Sequence, residues 1–511
     1  MIRRAAIALV AFAALLVAGC GGGGGGANDD LASLAPADAS VYLESVIRPE
    51  GGQKDAIESL ASRVGGIQDP GGAILSRLNA VLAQTGSDIS YEKDIEPWLG
   101  QRAAIFFQSF QGSPPPFAAA VETTDSGAAQ AFLEKVTAPD QAIKSATYNG
   151  VNYFTVPGET TSVALGVVDD FLVFGTFDQF KAAVDASNGP SLADSSSFQE
   201  ATATVPSDNL GLGYVDSAKA IGAISSTMSP LEAVALRPLL ATLGSGPAGF
   251  SVSARPDEAS LDVSLPSDAV PPLAGGDLVG KAPADAWFAM GAENLGATLN
   301  DALDTVTKAI PGAGLIENEI QRQSGVDPRE ALSWMQNGYA FVSGTTKDTI
   351  DLGAVIQSSD TQASSKDIEA LRKKFQADAD AKLGPPTEQG ADGGFSATAP
   401  ESPQAIEVDQ VGNQVVAALG PGQPAENAIH PDHILADDPS FVAGQGALGA
   451  DFEPLAFVSL APFFVVAEKG GQANDPQYLA AKPYLQKLSY LMIGSRTDAG
   501  RTTMRFAVGV Q

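Results

Sequence analysis

The chain has one cysteine, two histidines and three tryptophans in 511 residues. A single thiol cannot close a disulfide within the chain, so the fold must hold by core packing alone. Two imidazoles confine histidine-based metal or nucleophile chemistry to His430 and His433. Basic residues are scarce as well: 30 Lys and Arg stand against 60 Asp and Glu, a formal charge of -30. A surface this acidic repels phosphate backbones and so excludes nucleic acid as a partner. It also repels anionic headgroups, which keeps a folded body off a membrane surface. The acids are scattered singly, as on a solvated surface. The uncharged stretch at residues 5–18 is shorter than the about 20 residues that a membrane-spanning helix needs.

What is present begins with the position of that one cysteine. Arg3 and Arg4 precede the apolar stretch, which ends in Val17-Ala18-Gly19-Cys20. This is the anatomy of a secretory signal with a small-residue cleavage site. The Val-Ala-Gly-Cys ending resembles a bacterial lipobox, which implies that residues 1–19 are removed and that Cys20 is diacylated. Two acyl chains at about 0.8 kcal/mol per buried CH₂ are enough for stable anchoring. Once Arg3 and Arg4 leave, 28 basic residues face 60 acidic ones, and the charge becomes -32. Six glycines follow, Gly21 to Gly26. Residues 20–35 are expected to form a flexible tether with a reach of about 20 Å.

Comparison of the chain with itself predicts a duplication. Ala35-Pro36-Ala37-Asp38-Ala39 recurs as Ala282-Pro283-Ala284-Asp285-Ala286. Trp98 with its following apolar run matches Trp334, and Val121 to Asp125 matches Ile356 to Asp360. Leu192-Ala193-Asp194 with Phe198 matches Leu435-Ala436-Asp437 with Phe441. These matches are collinear. They divide the chain into a first repeat (36–268), a connector (269–281) containing Pro271-Pro272 and Gly275-Gly276, and a second repeat (282–511). Residues 384–403, rich in Gly, Pro, Ser and Thr, read as an exposed loop inserted in the second repeat.

Within each repeat, helical and strand patterns interleave. Asp125 reads as an N-cap before Ala128, Phe132 and Val136, and Thr176 with Gln179 reads as a capping box. Leu295, Leu299, Leu303, Val306 and Ile310 form one helical stripe that stops at Pro311-Gly312. Val163–Val168 and Phe171–Phe174 flank Asp169-Asp170, while Ile406–Val411 and Val415–Leu419 flank Gly412-Asn413. Each repeat closes on another strand pair, Phe250–Ala254 with Leu261–Leu265 and Leu491–Ser495 with Met504–Val510. Short turns between adjacent strands mean antiparallel pairing. The expected fold class is α+β: two related halves, each an antiparallel sheet with helices packed on one face.

No catalytic template fits. Ile429-His430-Pro431-Asp432-His433 places two imidazoles near a carboxylate, but Pro431 prevents a regular helix, and two histidines do not complete a zinc site. The sequence contains no Gly-x-Ser-x-Gly elbow, His-Glu-x-x-His, phosphate-binding loop or EF-hand. Asp378 and Asp380 lie in a helix-like charged stretch and read as solvated, and no carboxylate pair is singled out for glycoside chemistry. Trp98 and Trp334 each precede an apolar strand, which makes them core or sheet-edge anchors ahead of ligand-stacking rings. No catalytic residue, metal ligand or cofactor is expected.

Pro36 to Leu43, Asp94-Ile95-Glu96-Pro97-Trp98-Leu99-Gly100 with its strand, and Leu192-Ala193-Asp194 with Phe198 resemble the bacterial family known as domain of unknown function 3352. The resemblance implies an envelope-associated, often membrane-anchored protein without an established activity. The second half departs from the pattern, with Ser333 in place of the proline before the tryptophan and Gln336 in place of the glycine two after it. Together these readings predict an extracytoplasmic envelope protein, anchored to the cell membrane through lipid on Cys20. Its role is expected to be non-enzymatic, in binding or structure, with an envelope protein or a hydrophobic ligand as partner. The alternative is a carrier of lipids or other hydrophobic molecules, and a hydrolase of wall polymers or peptides ranks below both.

Overall fold

The computed structural model describes residues 29–84, 89–110, 112, 115–138, 141–158, 161–227, 246–267, 274–309, 314–346, 348–377, 382–398, 404–421 and 423–511. They fall into two compact units. One takes residues up to 227 with 246–267 and Ala499–Thr503, and the other takes 274–498 with Met504–Gln511.

The first unit is built on strands β1 (Val41–Val46), β2 (Leu99–Phe107), β3 (Ala118–Thr123), β4 (Lys144–Tyr148), β5 (Val151–Val156), β6 (Val163–Val168), β7 (Phe171–Thr176), β8 (Gly211–Val215), β9 (Ala248–Arg255) and β10 (Glu258–Pro266). All pair antiparallel, in the order β4-β5-β6-β7-β3-β2-β1-β8-β9-β10. The helices used below are α1 (Gly51–Gly65), α2 (Pro70–Gln84), α3 (Ser126–Thr137), α4 (Phe177–Ser187) and α5 (Ser196–Thr202).

The second unit is built on β11 (Ala286–Ala292), β12 (Met335–Ser343), β13 (Asp351–Ser358), β14 (Lys382–Gly384), β15 (Gly393–Thr398), β16 (Ala405–Val411), β17 (Gln414–Gly420), β18 (Glu453–Ser459), β19 (Leu488–Asp498) and β20 (Arg501–Val510), the last of which belongs to this unit from Met504 onward. Their order is β14-β15-β16-β17-β13-β12-β11-β18-β19-β20. Its helices include α6 (Leu295–Ala309), α7 (Pro328–Trp334), α8 (Thr361–Gln376), α9 (Pro424–Ile429), α10 (Pro439–Leu448) and α11 (Leu460–Lys469). Counted from its own first strand, each unit threads its strands in the same order. The recurring sequence motifs also meet in the same way. Leu192 donates its N–H to Ala35 O (2.8 Å), and Leu435 donates to Ala282 O (2.7 Å). Single bridges tie Pro36 to Ser191 and Pro283 to Ile434.

The chain is α+β with antiparallel pairing throughout these strands, but helices cover both faces of each sheet, not one. In β3, Ala118 and Ala120 enter a core with Phe180 of α4 and Phe198 of α5, while Ala119 and Val121 enter another with Leu78 of α2 and Leu133 of α3. Successive side chains point to opposite faces, so a strand with buried side chains on both faces needs two covers. In the second unit, Val416 joins Phe441 of α10 on one face, and Val415 joins Ile368 of α8 on the other.

Several local expectations change. The tether does not reach residue 35: Leu31, Ala32, Leu34 and Ala35 are fully buried in the α4/α5 core, where their apolar surface replaces water contact. The connector 269–281 includes a packed 3-10 turn, Gly276–Lys281, whose Val279 enters the second core. The supposed loop 384–403 begins on the last residue of β14 and contains β15, and Phe395 of β15 is fully buried. Asp125 caps α3, accepting from Ala128 N. Thr176 makes no such cap on α4, because its hydroxyl donates to Phe117 O (3.4 Å) and Gln179 reaches Gln108 (3.0 Å). The expected hairpin turns sit at Asp169 and Gly412, both at positive φ. α6 carries the predicted Leu295/Leu299/Leu303 stripe, while Ile310 and its Pro-Gly stop lie outside the described residues.

Candidate functional site

Cys20, Asp378 and Asp380 lie outside the described residues. His430 and His433 follow α9 without forming a metal site: among the described residues, no group of three or more His, Cys, Asp or Glu side chains is arranged to hold a metal ion. The His430 side chain is 65% exposed, with Nε2 3.6 Å from Glu388 Oε1. Trp98 is buried, donates Nε1–H to Asp94 O (2.6 Å) and lies 5.3 Å from the Phe132 ring. Trp334 is buried and donates to Asp367 Oδ2 (2.9 Å). Both rings therefore anchor the chain just before a central strand. No described helix is long and apolar enough to cross a membrane.

Two other features stand out. The first is an open half-face on each sheet. In the first unit, α2 and α3 cover one side of β3, β6 and β7. On that same side, further along the sheet, Leu43, Phe250, Val252 and Leu261 are only partly covered, with Val252 41% exposed. Strand register sets them in cross-strand rows: Ile105–Leu43–Gly213–Phe250–Val263, and beside it Gly211–Val252–Leu261. α1 runs near β9. Gly213 has no side chain to raise the floor, and the Phe250 ring lies where its Cβ would be.

The second unit has an open half-face at the same place in its strand order. Val342–Phe288–Val458–Leu491 form one row and Ala340–Met290–Ala456–Ile493 the next. Met290 is 43% exposed. α6 borders this face at β12, and α11 borders it at β11 and β19. Trp287 packs on Phe463 of α11 (6.1 Å) and donates to Gly344 O (2.7 Å), which fixes the helix beside the rows. Leu299 of α6 and Phe463 of α11 keep about 40% of their surface, as Leu299 41% and Phe463 40%. The rows carry no charged side chain, so they can take an apolar surface and offer no group for acid–base work.

The second feature is a set of four buried carboxylates in the second unit: Asp351, Glu388, Glu407 and Asp409. Asn427 donates to Asp351 Oδ2 (3.2 Å) and Ala425 N to Glu407 Oε2 (3.0 Å). Asp409 Oδ2 accepts from Thr387 N (3.0 Å), the Thr387 hydroxyl (3.2 Å) and Glu388 N (2.9 Å). Burial raises the pKa of Asp351, Glu388 and Glu407, and acidic neighbours raise it further. The sequence hides this group because β16 reads as an ordinary alternating strand. Its one signal is that Glu407 and Asp409 alternate with Ile406 and Val408 in a strand flanked on both sides by others.

A family model described as "protein of unknown function (DUF3352)" matches residues 74–385, more than half of the chain. The chain belongs to the DUF3352 family. That match takes in both motifs built around Trp98 and Trp334. No curated protein matches this DUF3352 chain. A solved structure described as "Structure of crystal form I of TP0453" is similar at 15% identity, over 47% of this chain and 79% of that one. Its TM-score of 0.24 is too low for a shared fold to be read from it.

Proposed function

We propose that this DUF3352 chain is a lipid-anchored protein of the bacterial cell envelope that binds a hydrophobic ligand and does not transform it. The observation that carries the reading is the uncharged, partly uncovered apolar half-face, found at the same place in the strand order of both units. Exposed apolar area of this kind is stabilised by an apolar partner at about 25 cal/mol per Å² removed from water. The lipobox-like Val17-Ala18-Gly19-Cys20 and the glycine run support an acylated Cys20 on a leash outside the cytoplasm. The shared strand order and the identically bridged Pro36/Ser191 and Pro283/Ile434 motifs support two repeats descended from one. Helices on the covered faces and open strands beside them give two sites of one kind, which suits a carrier or a receptor for acyl-type ligands.

The test is native mass spectrometry of the body from residue 29 onward, purified without detergent from a bacterial host. The reading expects extra mass in the range of acyl lipids, displaced by added long-chain fatty acid. A clean apoprotein mass that stays unchanged after incubation with fatty acid overturns it.

A further inference from the structure

The four buried carboxylates are not needed to make this fold. Counted back from the hairpin turn, Glu407 and Asp409 of β16 occupy the places that Ala164 and Gly166 hold on β6. There, Ala164 lies in the α4 core, and a Cβ on Gly166 would crowd the Phe180 and Tyr153 side chains. The first unit fills this space with aromatic rings and the eleven-residue α4, whereas the second uses acids and the six-residue α9. A buried acid stabilises a fold poorly unless it is paired, so its presence on an otherwise apolar framework needs another reason.

The pairing is one-sided. Asp351 comes from β13, Glu407 and Asp409 from β16, and Glu388 from the segment before β15. Glu426 of α9 and Asp285 before β11 add two more acids, and among the described residues the one cationic group facing them is His430, when protonated. The donors to their carboxylates include the neutral Asn427, the N–H groups of Ala425, Thr387, Glu388 and Gln389, and the Thr387 hydroxyl. One oxygen each of Asp351, Glu388 and Asp409 is buried with no hydrogen-bond partner. These donors belong to α9 and to the segment 387–389, so the acids hold both elements against the sheet.

We propose that Asp351, Glu388 and Glu407, packed beside Asp409, form a proton-dependent latch, which seats α9 and the 387–389 segment on the sheet when it carries protons and loosens them when it is fully ionised. The direction follows from linkage. Carboxyls whose folded pKa lies above the unfolded value stabilise the folded state fully below the unfolded value. That contribution is lost as pH rises through the folded value. The latch thus tightens in mild acid, opposite to the ordinary acid-weakening of ion-paired carboxylates.

Hydrogen–deuterium exchange of the unacylated protein, read on peptides covering 385–398 and 424–430 between pH 5 and pH 8 with intrinsic rates corrected, tests this. Opening of these peptides should rise with pH by about tenfold for each unit by which a carboxyl is raised, while β6 and α4 of the first unit show no such rise. Glu407→Gln with Asp351→Asn should flatten the pH dependence and leave the fold intact by circular dichroism. Glu388→Gln alone, at the edge of the group, should reduce it partly. Exchange in 385–398 and 424–430 that does not depend on pH, or that keeps its pH dependence in both variants, overturns the latch.

Discussion

Arg102 shows what a single side chain does here. It is buried in β2 and paired with Glu44 of β1, which also accepts from the Tyr42 hydroxyl (2.6 Å), while Arg102 Nη2 reaches Asn209 Oδ1 (3.4 Å). Arg102→Met leaves the Glu44 carboxylate buried without its cation and should destabilise the first unit by about 3–5 kcal/mol in urea melts. Glu44→Leu combined with Arg102→Met should recover most of that loss. At this scale the sequence was readable where a residue's role is local. Asp125 was identifiable as a cap because Asp stands just before an apolar helical period, and Asp125→Ala should cost about 1 kcal/mol. Thr176 was not, because the carbonyl that takes its hydroxyl belongs to Phe117, 59 residues away.

At the scale of elements, the hairpins β6–β7 and β16–β17 were legible in the chain, since two-residue turns and alternation are local signals. β14 and β15 were not, because their Gly, Lys and Ala residues carry little strand signal until pairing of β14 with β15 and of β15 with β16 supplies their hydrogen bonds. The open half-faces belong to this scale as well. Val252→Asp in the first unit and Met290→Asp in the second should each leave the melting temperature within about 2–4 °C of wild type, as surface changes do. Each should also remove binding of a fluorescent fatty-acid probe by its own unit, halving the stoichiometry. Unchanged stoichiometry in both variants would separate the apolar faces from ligand binding.

For the whole molecule, the proposed anchor and the acidic charge together predict where the body sits. With 60 acidic and 30 basic residues, the protein has no electrostatic attraction to anionic lipid. Cys20→Ser should therefore move it from the membrane pellet to the soluble fraction, and the released protein should not pellet with anionic vesicles at low salt. Retention of the variant on membranes would overturn a lipid anchor at Cys20. The membership in DUF3352 and the α+β class were both reachable from motifs and periodicity.

What the linear chain determined by itself are properties carried by near neighbours: the acidic balance, the turn-bounded hairpins and the recurring Ala-Pro-Ala-Asp and Leu-Ala-Asp motifs. Only the tertiary structure decided that both sheet faces are covered in part, that Leu31, Ala32, Leu34 and Ala35 are core, and that four acids of the second unit share one buried space. Those facts depend on which strand lies next to which, and strand neighbours such as β3 and β7 or β13 and β17 are separated by tens of residues. Their partners are chosen by the burial of side chains far apart in the chain, which no local pattern records.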